Sequence, residues 1–211
     1  MSSSWRIRGG AIATPERSRT LYTPLWATSK RLTCTALGVP VGLDEPYQHY
    51  QFAGRADVVA WDVSRRALLH IENRTRFPEF QHMAGAYNAK RAYLAQALAG
   101  RVGVPSWKSE THVLVGLWSA EVLRVLRLRT DSFPALCPDP PAPFHAWWNG
   151  QPPTGGRAST LVVLDPLTSG RQRSVLELDR ALSARARYRG YAEAAAALTA
   201  AAANTAAALS K

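Results

Sequence analysis

Two strand-like segments, ADVVAWDV at 56–63 and ALLHIEN at 67–73, are separated only by Ser64, Arg65 and Arg66. A short polar break between two apolar runs is the signature of a chain that doubles back as a β-hairpin. Both runs are apolar on two faces over most of their length, which suits strands covered on each side. If the turn is centred between Ser64 and Arg65, each residue pairs with the one equidistant from that centre, and Asp57 stands opposite Glu72. Directly opposed residues share a face, with Cβ atoms about 5 Å apart. Two carboxylates at that spacing repel unless a cation lies between them. Mg²⁺ suits such an oxygen site, taking one or two carboxylates together with waters and substrate phosphate. Arg74, two residues beyond Glu72, falls on the same face. A turn one residue longer shifts the register and sends the carboxylates to opposite faces. On spacing alone, two unrelated charges near strand ends would read the same way.

The rest of the chain reads as alternating elements. Residues 1–14 form a loose arm. Pro15 and Glu16 suit a helix start, and 16–36 carries apolar residues at helical intervals, with Pro24 as a bend and Gly38 at the cap position. The aromatic and polar stretch 47–53 reads as an edge strand. Pro78 ends the extended part, and 80–99 is an alanine-rich helix closed by Gly100 and Gly103. The segment 111–118 is a strand, and Ser119 caps a helix that runs to about residue 129. Residues 130–156 are rich in proline and long for an internal loop, with FHAWW as one helical turn. A last strand follows at 159–165, and the chain from 174 to about 209 reads as helical. The sum is an α/β fold with a mixed central sheet. The strand after the long helix runs parallel to a core strand by a crossover connection. The domain divisions are an arm at 1–14, one domain at 15–190 and an alanine-rich helical extension at 191–211.

The segment AGRADVVAWDVSRRALLHIENRTRFPEFQ resembles the PD-(D/E)XK superfamily, the restriction-endonuclease-like fold, and within it uncharacterised actinobacterial members. The family motif is an aspartate at the start of one strand, then an acidic residue, any residue and lysine on the next. Here those positions read Asp57 and Glu72-Asn73-Arg74. The family core, αβββαβ, matches the element order over roughly residues 16–118, and the further strand and helices are additions at the C-terminal side. The resemblance implies a metal-dependent nuclease acting on DNA with Mg²⁺ or Mn²⁺. Asp57 and Glu72 would be ligands, helped by the Asn73 carbonyl and by an upstream acid, Glu45 before Glu16. Gln81 matches a glutamine early in the following helix, with Tyr87, Lys90 and Arg91 further along.

The departure is Arg74 where the family has lysine. Arginine keeps the charge and binds phosphate bidentately. It does not lose its proton at ordinary pH and so cannot be a general base. Arg74 therefore serves only the electrostatic half of the role, or Lys90 reaches back from the helix as a migrated lysine, or the site binds without cutting. Catalytic candidates are Asp57, Glu72, Arg74, Gln81 and Lys90; Arg55, Arg76, Arg91 and His82 are candidates for nucleic-acid contact. A homodimer or a separate DNA-targeting partner would complete such a protein. His70 shares a face with Glu72 and reads as a core histidine rather than a ligand. Trp147 and Trp148 read as loop-pinning residues rather than a base-stacking platform.

Composition sets the outer limits. The chain has 211 residues, of which 46% are hydrophobic, enough for one globular domain. Its net charge of +11 favours a polyanionic partner. Only four of its 26 basic residues are lysine, however, a bias that GC-rich codons also produce. Cys34 and Cys137 form neither a disulfide framework nor a zinc pattern, and read as reduced thiols of a cytoplasmic protein. Apolar runs such as LVVL at 161–164 are too short to span a membrane, and the first residues lack a signal-peptide core. No phosphate-binding loop, dinucleotide motif or serine nucleophile elbow is present.

Overall fold

The computed structural model describes residues 39–168 and 174–209. The arm at 1–14, the helix expected over 16–36 and Cys34 lie outside the described residues. Strand β1 (Val41–His49) leads through Tyr50 and Gln51 into β2 (Phe52–Asp62), and β2 leads through residues 63–66 into β3 (Ala67–Arg74). Both pairs are antiparallel. Helix α1 (Phe80–Val102) then crosses over to β4 (Ser109–Leu117), which runs parallel to β3. Three short helices, α2 (Ala120–Leu128), α3 (Ser132–Leu136) and α4 (Ala142–Trp148), precede β5 (Gly156–Leu164), parallel to β4. Strand β6 (Val175–Glu177) pairs antiparallel with β5, and α5 (Leu178–Ser183) and α6 (Tyr191–Leu209) follow. The six strands lie in sequence order in one mixed sheet, so the fold is α/β.

The β2–β3 turn keeps the expected centre. Asp62 Oδ1 accepts hydrogen bonds from Ser64 Oγ at 2.6 Å and from the Arg65 backbone N–H at 2.9 Å, while Oδ2 takes Arg65 Nη1 at 2.8 Å. Such an aspartate-centred turn replaces backbone pairing where the chain reverses. Arg66 completes it with φ 55°, and its N–H bonds Val63 O at 3.2 Å. The resulting ladder runs from Asp62↔Ala67 to Val58↔Ile71.

Strand β3 is buried at every position except Arg74, as a strand in the middle of a covered sheet must be. Helix α1 covers the sheet through Met83, Tyr87, Lys90, Leu94 and Leu98, spaced three and four apart on one stripe. Leu94, Ala95 and Leu98 pack on Tyr47, Val59 and Leu68. Each fully buried large apolar side chain contributes about 1.5–3 kcal/mol, so this contact fixes where α1 lies. The helix outruns Gly100 and ends at Gly103, whose φ of 75° is the left-handed cap that glycine takes most easily. Farther on, Ser119 Oγ accepts from Val122 N–H at 3.3 Å and caps α2. Gly116 in β4 leaves the room that Val122 needs, since a Cβ there would meet Val122 Cγ1 at 2.9 Å.

Three sequence readings are corrected. The stretch 47–53 is not one strand: Tyr50, at φ 52°, turns the chain between β1 and β2 without the glycine or asparagine that announces a hairpin. The proline-rich stretch 130–156 is two short helices that bury Phe133, Phe144, Trp147 and Trp148. Trp147 Nε1 donates to Thr111 Oγ1 at 3.2 Å, so both tryptophans are packing residues. The chain after 174 is not one helix. It starts as β6, because β5 offers an edge that pairs Val162, Val163 and Leu164 with Glu177, Leu176 and Val175. Within α6, Ala194 is buried in the main core. No helix among the described residues is long and apolar enough to cross a membrane.

Candidate functional site

The β2–β3 ladder stops at Val58↔Ile71, and the next step is made by side chains. The Asp57 backbone N–H donates to Glu72 Oε1 at 3.3 Å, and the Asn73 N–H donates to Asp57 Oδ2 at 2.8 Å. The two carboxylates thus meet where the hairpin register sets them. Glu72 is fully buried and Asp57 keeps about a fifth of its side-chain surface, 21%.

Cations converge on the pair from two directions. Lys90 comes from the middle of α1 and stands 2.6 Å from Glu72 Oε2. Arg74 curls back from the end of β3: Nη2 lies 2.9 Å from Glu72 Oε2, and Nη1 lies 3.5 Å from Asp57 Oδ2 and 2.9 Å from Asn73 O. Burial, followed by the charge of Glu72, pushes Asp57 up to about 7, against the opposing pull of Arg74 and Lys90. Burial also acts upward on Glu72. There the hydrogen bond and charge of His70, with Lys90 and Arg74, win and hold it well below the usual carboxylate range. The pair therefore divides into a fixed anion, Glu72, and a carboxyl that titrates near neutrality, Asp57.

Behind Glu72 runs a buried chain that the sequence did not reveal. His70 Nε2 lies 2.9 Å from Glu72 Oε1, and His70 Nδ1 lies 3.1 Å from His112 Nδ1. His112 Nε2 is 3.4 Å from Glu110 Oε2, which Arg157 Nη2 holds at 2.8 Å. Burial pushes His112 down to about 4, outweighing the upward pull of the Glu110 carboxylate, and burial lowers His70 as well. Both rings are thus uncharged at neutral pH. His70 and His112 are neighbours through the parallel β3–β4 pairing. Two histidines 42 residues apart carry no local signal of that.

The remaining candidates lie outside this cluster. Glu45, paired in register with Ala56, forms an ion pair with Arg101 of α1. Arg55 is held by Asp44, through Oδ1 at 2.7 Å and the backbone carbonyl at 2.6 Å. Arg91 donates to Leu136 O at 3.0 Å and to Asn88 Oδ1 at 3.2 Å, tying α1 to α3. Arg76, Gln81 and His82 are exposed around the start of α1. Cys137 is buried, and burial first of all drives its thiol up to about 11, which leaves it inert.

As a cation site, Asp57, Glu72 and the Asn73 carbonyl form an oxygen-only donor set, the kind a hard divalent ion prefers. No group of three or more His, Cys, Asp or Glu side chains among the described residues is arranged to hold a metal. Any such site rests on two carboxylates and one carbonyl. In comparisons with known proteins, no family model, no curated protein and no solved structure matches the chain.

Proposed function

We propose that this chain is a metal-dependent, nuclease-like protein of the PD-(D/E)XK kind that hydrolyses phosphodiester bonds in DNA. The observation that carries the reading is the meeting of Asp57, Glu72 and Lys90 from β2, β3 and α1, with Lys90 Nζ 2.6 Å from Glu72 Oε2. It supports Lys90 as the lysine that the motif lacks at Arg74. Asp57 and Glu72, with the Asn73 carbonyl, would hold the ion. A bound Mg²⁺ or Mn²⁺ supplies an activated water and offsets charge on the phosphate. The 2.6 Å contact with Glu72 holds Lys90 beside the carboxylate pair. Arg74 offers a planar fork to a phosphate oxygen pair. Arg76, Gln81 and His82 would meet the DNA backbone beside α1, with Arg55 and Arg91 farther out.

The test is incubation of the full chain with plasmid and branched DNA in Mg²⁺ or Mn²⁺. Nicking or cleavage is expected, and Asp57→Ala is expected to abolish it. Cleavage that survives Asp57→Ala rules out this site. A second reading, DNA binding without cutting, is favoured by one observation: Arg74 already bridges both carboxylates without an ion. Salt-sensitive DNA binding together with no Mn²⁺ binding selects that reading.

A further inference from the structure

We infer that Arg74 is a resident cation of the carboxylate site, which a divalent ion must displace before it can bind. The inference rests on the metal-site reading above and concerns what that site does before the ion arrives.

Three oxygens would ligate the ion: Asp57 Oδ2, Glu72 Oε2 and Asn73 O. The Arg74 guanidinium reaches all three, at 3.5, 2.9 and 2.9 Å. A lysine ammonium carries its three donors on one nitrogen and lacks the planar fork whose two terminal nitrogens divide these acceptors between them. The residue that breaks the family motif therefore sits across the donor set as a built-in substitute for the ion.

The hydrogen-bond count of Glu72 points the same way. An ionised carboxylate offers about four lone-pair sites. Oε1 accepts from His70 Nε2 at 2.9 Å and from Asp57 N–H at 3.3 Å, and Oε2 faces Lys90 at 2.6 Å and Arg74 at 2.9 Å. All four sites are taken, so an ion can join Glu72 only if a donor leaves. The Asp57 N–H belongs to the backbone and the His70 ring is fully buried. Of the two movable cations, Lys90 rises from the packed stripe of α1 with 11% of its side chain exposed. Arg74 ends β3 with 20% exposed. Arg74 is the donor that can swing outward.

The displaced guanidinium remains tethered beside Glu72. Freed from the carboxylates, it is available to a phosphate, which it binds bidentately. Ion binding and phosphate capture are thereby coupled: the ion's arrival releases the group that holds the substrate.

The test measures Mn²⁺ binding to the full chain by the electron paramagnetic resonance signal of free Mn²⁺, with thermal unfolding in parallel. Arg74→Gln is expected to bind Mn²⁺ at least about tenfold more tightly than wild type, since it removes a competing charge from a partly desolvated site. Without metal its melting temperature falls, and saturating Mn²⁺ restores it. Arg74→Lys keeps the charge but not the fork, and is expected to bind more tightly than wild type by a smaller factor. It decides the matter if Arg74→Gln does not fold. If wild type binds Mn²⁺ and the variants bind equally or more weakly, the displacement idea is overturned and the metal-site reading stands. If neither wild type nor variants bind millimolar Mn²⁺, both fall.

Discussion

Lys90 Nζ lies 2.6 Å from Glu72 Oε2, an ion pair between the middle of α1 and the end of β3 that is almost wholly withdrawn from water. Removing one partner of a buried pair leaves an uncompensated charge and costs about 3–5 kcal/mol. Lys90→Met is expected to destabilise the protein by about that much in urea unfolding. The same substitution is expected to abolish any cleavage. The pair is also expected to be coupled. In a cycle of Lys90→Met, Glu72→Gln and the double variant, the two effects should fall short of additivity by about 1–3 kcal/mol. Additive effects would show that the contact carries no energy.

Asp57 gives the site a pH dependence with a definite sign. Its carboxyl is raised to about 7 by burial and by Glu72. The folded state therefore holds a proton on Asp57 that the unfolded chain, with an ordinary value near 3.8, has already released. This stabilising protonation is complete below the unfolded value and is lost as pH rises through about 7. Asp57→Asn lacks the titration. Its stability relative to wild type is expected to improve as pH rises from 5 to 8, measured by urea midpoints. A difference that does not vary with pH would contradict the shift. Mn²⁺ affinity of the wild type should rise over the same interval, because only the ionised carboxylate is a ligand.

Asp62 has the opposite sign. Burial acts upward on it, yet hydrogen bonds from Ser64 and the Arg65 N–H, with the Arg65 guanidinium, hold it at about 2. Its contribution is present above the unfolded value of 3.8 and disappears as pH falls toward 2. Asp62→Ala is expected to cost about 0.5–1.5 kcal/mol at pH 7, since it removes the hydrogen bonds that hold the exposed turn. The penalty should shrink in acid. Unchanged stability at pH 7 would mean that the turn holds without its aspartate.

The two buried histidines have assignable tautomers. Glu72 is ionised and can only accept, so His70 Nε2, 2.9 Å away, carries the hydrogen. A neutral His70 then has a bare Nδ1, and the 3.1 Å contact requires His112 to donate from its own Nδ1, so a neutral His112 has no hydrogen left on Nε2 for the Glu110 carboxylate 3.4 Å away. Long-range nitrogen–proton correlation spectra of the imidazoles at pH 7 should show Nε2–H for His70 and Nδ1–H for His112. Finding Nδ1–H on His70 would break the chain at its first link. His112→Phe is expected to free His70 to reorient and to weaken its bond to Glu72, visible as a shift of the His70 nitrogen signals.

Much of the hairpin was legible in the sequence because it is governed by short-range rules. A three-residue polar break between runs of strand-forming residues pointed to the turn at Ser64–Arg65, and the observed ladder from Asp62↔Ala67 to Val58↔Ile71 has that centre. Helix α1 and the Ser119 cap were legible for the same reason. The reading failed where local chemistry was silent. Tyr50 turns the chain without a turn residue, and residues 175–177 become a strand only because β5 offers them an edge.

By itself the sequence offered Asp57 opposite Glu72 as the outcome of a turn centred between Ser64 and Arg65, since strand period and turn length decide register and both are local. It also named Lys90 as one residue that could reach back, without choosing it over Arg74. Tertiary structure decided the rest. Packing of Leu94 and Leu98 on Val59 and Leu68 lays α1 across the sheet and brings Lys90 onto Glu72. Parallel pairing of β4 brings His112 onto His70. Arg74 then folds back over the buried Glu72 carboxylate and the part-buried Asp57 carboxylate, which have little water to solvate them. Contacts between side chains from distant segments depend on how elements pack, and that depends on the whole core rather than on any local pattern.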